Sequence, residues 1–548
     1  MIHTILQLNP EILNPRIIIT TYIFIGLLIQ ICVGQNIFHQ AYGKSGSGSD
    51  LGYSVKTTND GGYIITGEYD VSGLFSAQVY LVKIDSLGNL TWAKTYGGAE
   101  ELRTVNGTGN RGYSVLETYD GGYIIGGEVH SFSAGMADMY LIKTNPSGDI
   151  VWSKSMGGNL DDYCYSIQET TDSCFILAGS TESFGVGIRN VYLIKVSSIG
   201  DTLWTKTFGD STLEGAFDVR ETLDKGFIIT GYTFSTTGGN SDIFLIKTNP
   251  NGDIIWQKAY GGNKNEYGYS VTQTTDEGYI IAGSTESYGA GNQDVFLIKT
   301  DSLGDLQWSN SYGGSSFEEG NSVIQLYNGG FLIVGYTRSF GAGWEDVYVI
   351  RTDSLGAMMW SKVYGGLNGE IGNDVKLCGD DGYIITGGIR SFGVGNYNLY
   401  AIKIDSMGES GCHQLNSATI MNSDTTSVSL LTFQTGHGAI ITDPPTIVGN
   451  TSTVQLNICD STLVINELDH QAIKIFPSPV SDFLQIENAF NTDVGITIYN
   501  AMGQAINTSF IKANSQYAID ISGYSKGLHY ITVLKHEMKI TKKVLVVD

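Results

Sequence analysis

Basic residues are scarce in this chain. Lysine and arginine total 31 against 55 aspartate and glutamate, for a net charge of -24, and the lysines are spread thinly instead of clustered. Nucleic acid is thereby excluded as a partner, because a phosphate backbone is held by grouped cations. Histidine is as thin: between residues 35 and 412 only His39 and His130 occur, on no spacing that holds a metal ion. The same stretch has no G-x-S-x-G elbow for a serine nucleophile, no H-E-x-x-H pair and no arginine cluster to grip a substrate carboxylate. Helical periodicity is missing too. What is present is 41% apolar residues and 71 glycines, enough for a large core and unlike a disordered acidic tail.

Most of the chain is one text rewritten. A glycine-aromatic pair followed by an apolar run recurs at Gly62, Gly122, Gly226, Gly278, Gly330 and Gly382, with Cys174-Phe175 filling the slot in the third copy. The first step is 60 residues and the next five are 52, which makes seven copies and points to a solenoid, propeller or similar array. Within one copy four strand signals follow each other: A (Gly268 to Thr274), B (Tyr279 to Thr285), C (Val295 to Thr300) and D (Leu306 to Tyr312). The A-B and C-D connections are short and rich in glycine and aspartate, as tight hairpins require. B and C are apolar on both faces, which fits sheets stacked between neighbours better than a two-sheet sandwich with wet outer faces.

The D strands carry tryptophan at 92, 152, 204, 256, 308 and 360, and the next step of 52 lands on Cys412, where the pattern stops. The missing seventh D strand is at the other end, where FHQAYG (residues 38 to 43) matches WAKTYG (residues 92 to 97). The expected fold is therefore all-β: a seven-bladed propeller over residues 35–412, four antiparallel strands per blade, its ring closed by the N-terminal strand. The D-A and B-C connections then emerge on one face, which is the expected ligand face because its loops are longer. Carboxylates recur in the D-A loops at Asp162, Glu214, Glu266, Glu318 and Glu370, each 52 residues after the last. Two readings stand open for them: each braces its own loop by accepting backbone N-H bonds, or together they form a ring at the channel mouth that attracts Ca²⁺ or a cationic ligand. No other cofactor is expected.

The ends differ from the array. Residues 1–34 hold Arg16, an apolar run from Ile17 to Val33 and a small residue at Gly34, which reads as a signal peptide cleaved near Gln35, leaving no membrane span. Of the six cysteines, Cys32 leaves with the signal; Cys164, Cys174 and Cys378 read as small buried side chains. Residues 413–466 are rich in serine, threonine and asparagine and are expected to be a linker with some strand; Cys412 and Cys459 bracket a segment with no other cysteine, and a bridge between the two is open.

In residues 467–548 the segments IKIFPSPVSDFLQIE (with Pro477 and Pro479), ITIYNAMGQ (with Gly503), IDISGYSKGLHYITV (with Gly527) and KITKKVLVV (with Lys542) follow in order. Together they resemble the type A C-terminal sorting domain of the type IX secretion system of Bacteroidota. Ser478 departs from that pattern, in which asparagine usually stands between the prolines. The resemblance implies a small antiparallel sandwich, read by the type IX translocon, and a cargo passing through the periplasm to be released or held at the outer surface. The expected function is that of an exported binding or adhesion module with a protein or glycan ligand. The alternative is a secreted glycan-active hydrolase or lyase using acidic residues of the long-loop face.

Overall fold

The computed structural model describes residues 36–546 apart from 45–47, 71–76, 99–108, 134, 237–239, 394–395, 452, 460–472, 477–481, 489–492, 501–504 and 536–537. The leader expected at 1–34 lies outside the described residues, as do Pro477, Pro479 and Gly503. The chain forms two compact units, Met1–Cys459 and Asp460–Asp548.

The first unit is the seven-bladed propeller. Each blade runs A-B-C-D from the channel outward, and the seventh takes its D strand from the N-terminus: Phe38–Gly43 pairs antiparallel with Asn398–Ile404, from Phe38 opposite Lys403 to Tyr42 opposite Leu399. Burial of both sheet faces has its expected consequence, since the propeller core is seven hydrophobic clusters, each shared by two neighbouring blades.

Two repeated devices explain why this sequence makes blades. In the A-B turn, aspartate accepts a bond from the following glycine amide and from the nearly buried lysine of strand C. Asp60 with Gly62 (3.0 Å) and Lys83 (2.9 Å) is the first case, and the lysine pair recurs at Asp120-Lys143, Asp172-Lys195, Asp224-Lys247, Asp276-Lys299 and Asp380-Lys403. The second device joins blades. Each D-strand tryptophan lies on the C-D hairpin glycine of the next blade, and a Cβ at Gly304, whose φ is +74°, would come within 2.7 Å of Trp256. Phe38 occupies the same place over Gly88. Tyrosines at the far end of strand D reach the carbonyls of these glycines: Tyr96 to Gly148 (2.7 Å), Tyr260 to Gly304 (2.6 Å), Tyr364 to Gly408 (2.7 Å), and Tyr42 to Gly88 at the seam.

The stretch expected to be a linker is different in kind. From Gln414 to Asn457 it runs once round the rim, adding a fifth, antiparallel strand to every blade: Gln414–Asn416 on the sixth, Ile420–Ser423 on the fifth, Ser427–Leu430 on the fourth, Gln434–Gly436 on the third, Ile440–Thr442 on the second, Ile447–Asn450 on the first and Val454–Asn457 on the seventh. The belt visits the blades in reverse and closes on itself through a Cys412–Cys459 disulfide (Cα–Cα 5.6 Å). Cys164, Cys174 and Cys378 are free.

Tyrosine hydroxyls of strand C fix the belt's register, Tyr80 on Thr453 (2.6 Å), Tyr140 on Thr446 and Tyr348 on Thr419, and where strand C has Phe244 instead the belt presents Phe433, edge-on at 6.1 Å.

The second unit is a sandwich of a three-stranded and a four-stranded sheet around Leu484, Ile486, Ile496, Ile498, Ile531 and Val533. Gly527 opens one strand and Lys542 pairs opposite Ile531 in the next.

Candidate functional site

Asp162, Glu214, Glu266, Glu318 and Glu370 each begin an A strand and are fully buried. Each is tied to its own loop. Glu266 accepts from the Gly262 amide (2.8 Å), the Thr285 hydroxyl (2.9 Å) and the Ser287 amide (3.1 Å); Glu318 repeats this with Gly314, Thr337 and Ser339, and Glu370 with Gly366, Arg390 and Ser391. Asp162 accepts from the Gly158 amide and the Ser183 hydroxyl, both at 2.7 Å, and Glu214 from the hydroxyls of Thr212 (2.6 Å) and Ser235 (2.8 Å).

The ring has two further members that a search for carboxylates at steps of 52 misses. Asn110 stands 52 residues before Asp162 in the second blade but carries no charge, and Asp50 holds the position in the first blade, displaced by the 60-residue first repeat. It also has a companion at the head of strand C. Around the glycine that ends each D strand, one side chain of each ring converges: Asp138 with Asp162 at Gly157, Asn190 with Glu214 at Gly209, Asp242 with Glu266 at Gly261, Asp294 with Glu318 at Gly313, Asp346 with Glu370 at Gly365, Asn398 with Asp50 at Gly43, and Gln78 with Asn110 at Gly97. A Cβ on any of these glycines would collide with the pair, so glycine is required there by close approach.

Asparagine in the same slot in two blades shows that the position does not require a charge. Asp242 is within hydrogen-bonding reach of Glu266, and two carboxyls hold that arrangement only if one keeps its proton. Burial accordingly raises Asp242 and Asp294 to about 6 and Asp346 to about 7, with the neighbouring Glu266, Glu318 and Glu370 charges adding to the effect. Because the folded-state values lie above the ordinary 3.8, the native state holds these protons more tightly than the unfolded chain. The stability they contribute is complete below about pH 4 and is lost as pH rises through 6 to 7. The melting temperature is expected to fall between pH 5 and pH 8, and the double substitution Asp294→Asn, Asp346→Asn to flatten that slope and raise the value at pH 8 by a few degrees, for about 1 kcal/mol per pair. If a cation bridged the pairs, chelator would lower the melting temperature of the wild type; the proton reading requires indifference to chelator. Among the described residues, the one trio of His, Cys, Asp or Glu with metal-ligand proximity is His39 with Cys412 and Cys459, and its two sulfurs form the disulfide.

Exposed chemistry lies elsewhere on the long-loop face. A cavity of about 570 Å³ between the sixth and seventh blades is lined by Trp344, Glu345, Asn368, Arg390 and Tyr397, with Arg338 at its edge. Trp344 is 80% exposed, and its amide donates to Asn368 O (2.9 Å), which fixes the loop. The Arg390 guanidinium lies over the Tyr397 ring at 5.8 Å; Arg338 lies over Phe317 at 5.5 Å and pairs with Glu345. Fixed planar donors, a rim carboxylate and a bare indole converge here on open space. The sequence carries a signal for this site: six of the seven tryptophans hold one repeat position in strand D and Trp344 does not, standing where other copies have Met136, Ile188, Asn240, Asn292 or Asn396.

Comparison with known proteins gives a match at the C-terminus, where residues 474–547 fit the family described as secretion system C-terminal sorting domain. A 187-residue segment is 24% identical to the regulatory protein FlaEY of Caulobacter vibrioides, covering 31% of this chain and 19% of that protein, so the chain spans less than a fifth of the length of that relative. Among solved structures, Sqt1 of Chaetomium thermophilum is similar over 65% of this chain and 82% of its own (10% identity, TM-score 0.37), and a eukaryotic initiation factor over 88% and 98% (10% identity, TM-score 0.30).

Proposed function

We propose that this chain, exported under a C-terminal type IX sorting domain and secreted or held at the cell surface, works there as a binding module that grips a glycan through the cavity around Trp344. The observation that carries the reading is the pairing of a bare indole with a fixed set of polar groups. A sugar ring stacks its C-H face on an exposed aromatic while its hydroxyls are met by planar donors and acceptors, and Arg390, Asn368 and Glu345 stand around Trp344 in that relation. The rival hydrolase reading needs a pair of carboxylates that a substrate can touch, and Glu345, paired with Arg338, is the one carboxylate among the described residues lining this cavity. Nine of the ten ring carboxylates that converge on the D-strand glycines are at most 2% exposed, Asp242 is half-buried, and the A-strand members are occupied with their own loops.

The test is a screen of the purified protein against polysaccharide arrays. Binding is expected in wild type and to fall by at least tenfold in Trp344→Ala, with little change in melting temperature because the side chain is so exposed. Binding that survives both Trp344→Ala and Arg390→Ala would move the contact off this cavity. Release of product from the array, lost on carboxylate substitution, would overturn the binding-module reading in favour of an enzyme.

A further inference from the structure

The channel itself is layered, and one layer is electrically unbalanced. Nearest the long-loop face, Tyr53, Tyr113, Tyr165, Phe217 and Tyr269 form an arc with successive ring centroids 5.1, 5.2, 5.5 and 5.2 Å apart, completed by Asn321 and Asn373. The next residue in each A strand is serine, except for Asp218 and Asp374, and these side chains staple neighbouring blades. Ser114 accepts from the Ile167 amide (3.3 Å), Ser270 from Val323 (3.3 Å), Asp218 from Val271 (3.0 Å) and Asp374 from Val55 (3.1 Å).

Two residues further on comes the odd layer. In the fourth and seventh blades the triplets read Asp218-Val219-Arg220 and Asp374-Val375-Lys376, each an aspartate with its own cation, joined as ion pairs. In the first blade the triplet is Ser54-Val55-Lys56, a lysine without its aspartate. This layer and the one above it therefore bring three basic side chains together with two carboxylates, inside a protein whose net charge is -24. Both carboxylates are already saturated: Asp374 takes the Ser54, Ser322 and Lys376 donors and two amides, and Asp218 takes Ser166, Arg220 and two amides. Glu117 and Glu221 at the hairpin end of the channel are spent on the Asn59 and Thr171 amides, and Glu169 on the Tyr119 amide. Arg220 Nε is buried with no partner. Burial and the nearby Lys376 charge hold the Lys56 ammonium well below the usual lysine range, a cost that a bound negative charge would relieve.

We propose that the channel is a binding site for a small oxyanion, a carboxylate, phosphate or sulfate, held by Lys56 and Arg220 with Lys376 adding to the field, on the side of the aromatic arc away from the long loops. The cavity there is about 90 Å³, room for a ligand of only a few heavy atoms. The site is separate from the Trp344 cavity and stands whether or not that cavity binds glycan.

The experiment titrates the full chain with sodium acetate, phosphate and sulfate in separate arms at constant ionic strength, read by calorimetry and by thermal shift. Saturable one-to-one binding is expected in at least one arm, and the arm names the anion. Lys56→Met is expected to weaken it at least tenfold, Lys56→Arg to retain it, and Leu116→Met, in the same layer of the next blade, to leave it unchanged. No saturable response in any arm at millimolar anion overturns the proposal, as does undiminished binding by Lys56→Met. Should Lys56→Met not fold, wild-type crystals soaked in selenate decide: an anomalous peak within hydrogen-bonding distance of Lys56 supports the site, and a channel without one overturns it.

Discussion

A chain lacking residues 35–45 elutes as oligomers and loses its sharp melting transition. Removing Phe38–Gly43 strips the seventh blade of its D strand, and with it the pairings on both sides, to Asn398–Ile404 and to the belt strand Val454–Asn457. Phe38 leaves Gly88 and Tyr42 leaves its carbonyl, so the contact between the seventh and first blades loses the rivet that the other blades keep. Two open sheet edges result, and each is a template for another chain. The expected fall in melting temperature is on the order of 10 °C or more, since several fully buried side chains are lost together. Size-exclusion chromatography and calorimetry read the result; a monomer with an unchanged transition would mean that the ring does not depend on its seam.

The second large effect is on the belt. A chain ending at Ser410, with the belt removed, bares the outer edge of all seven blades at once and is expected to aggregate during purification. The milder variant Cys412→Ser with Cys459→Ser keeps every belt strand but frees its ends. Opening a loop of 47 residues costs about 4 kcal/mol in the chain-entropy model, which for a unit of this size is a drop on the order of 5 °C. The same drop is expected in wild type on reduction. Equal melting temperatures with and without reductant would mean that pairing to the blades alone holds the belt.

The propeller was legible because repetition multiplies weak signals: one glycine-aromatic turn means little, but seven such slots, at one step of 60 and five of 52, with the displaced FHQAYG, determine blade count and closure together. The sorting domain was legible from four ordered motifs. The belt was not, because each of its strands is three or four residues long, too short for an alternating pattern. Its register is nevertheless written in the chain as Thr419, Thr426, Phe433, Ala439, Thr446 and Thr453, at steps of six and seven that match nothing until the tyrosines of strand C are seen opposite them. The carboxylate ring was found by its spacing, yet its partners at the head of strand C were not, since an aspartate that alternates with asparagine looks like a neutral surface exchange until the close approach at Gly261 or Gly313 brings the two rings together.

The belt also constrains how such a protein can change its number of repeats over generations. Each repeat after the first is 52 residues long. Cys412 and Cys459 meet only because seven belt strands, starting six or seven residues apart, go once round a ring of seven blades. Adding an eighth blade would leave the two thiols a blade apart, and deleting one would leave slack, unless a short insertion or deletion occurred in a separate part of the gene at the same time. The disulfide thus acts as a tally of blade number, and seven-fold repeat count is inherited as a pair of matched lengths.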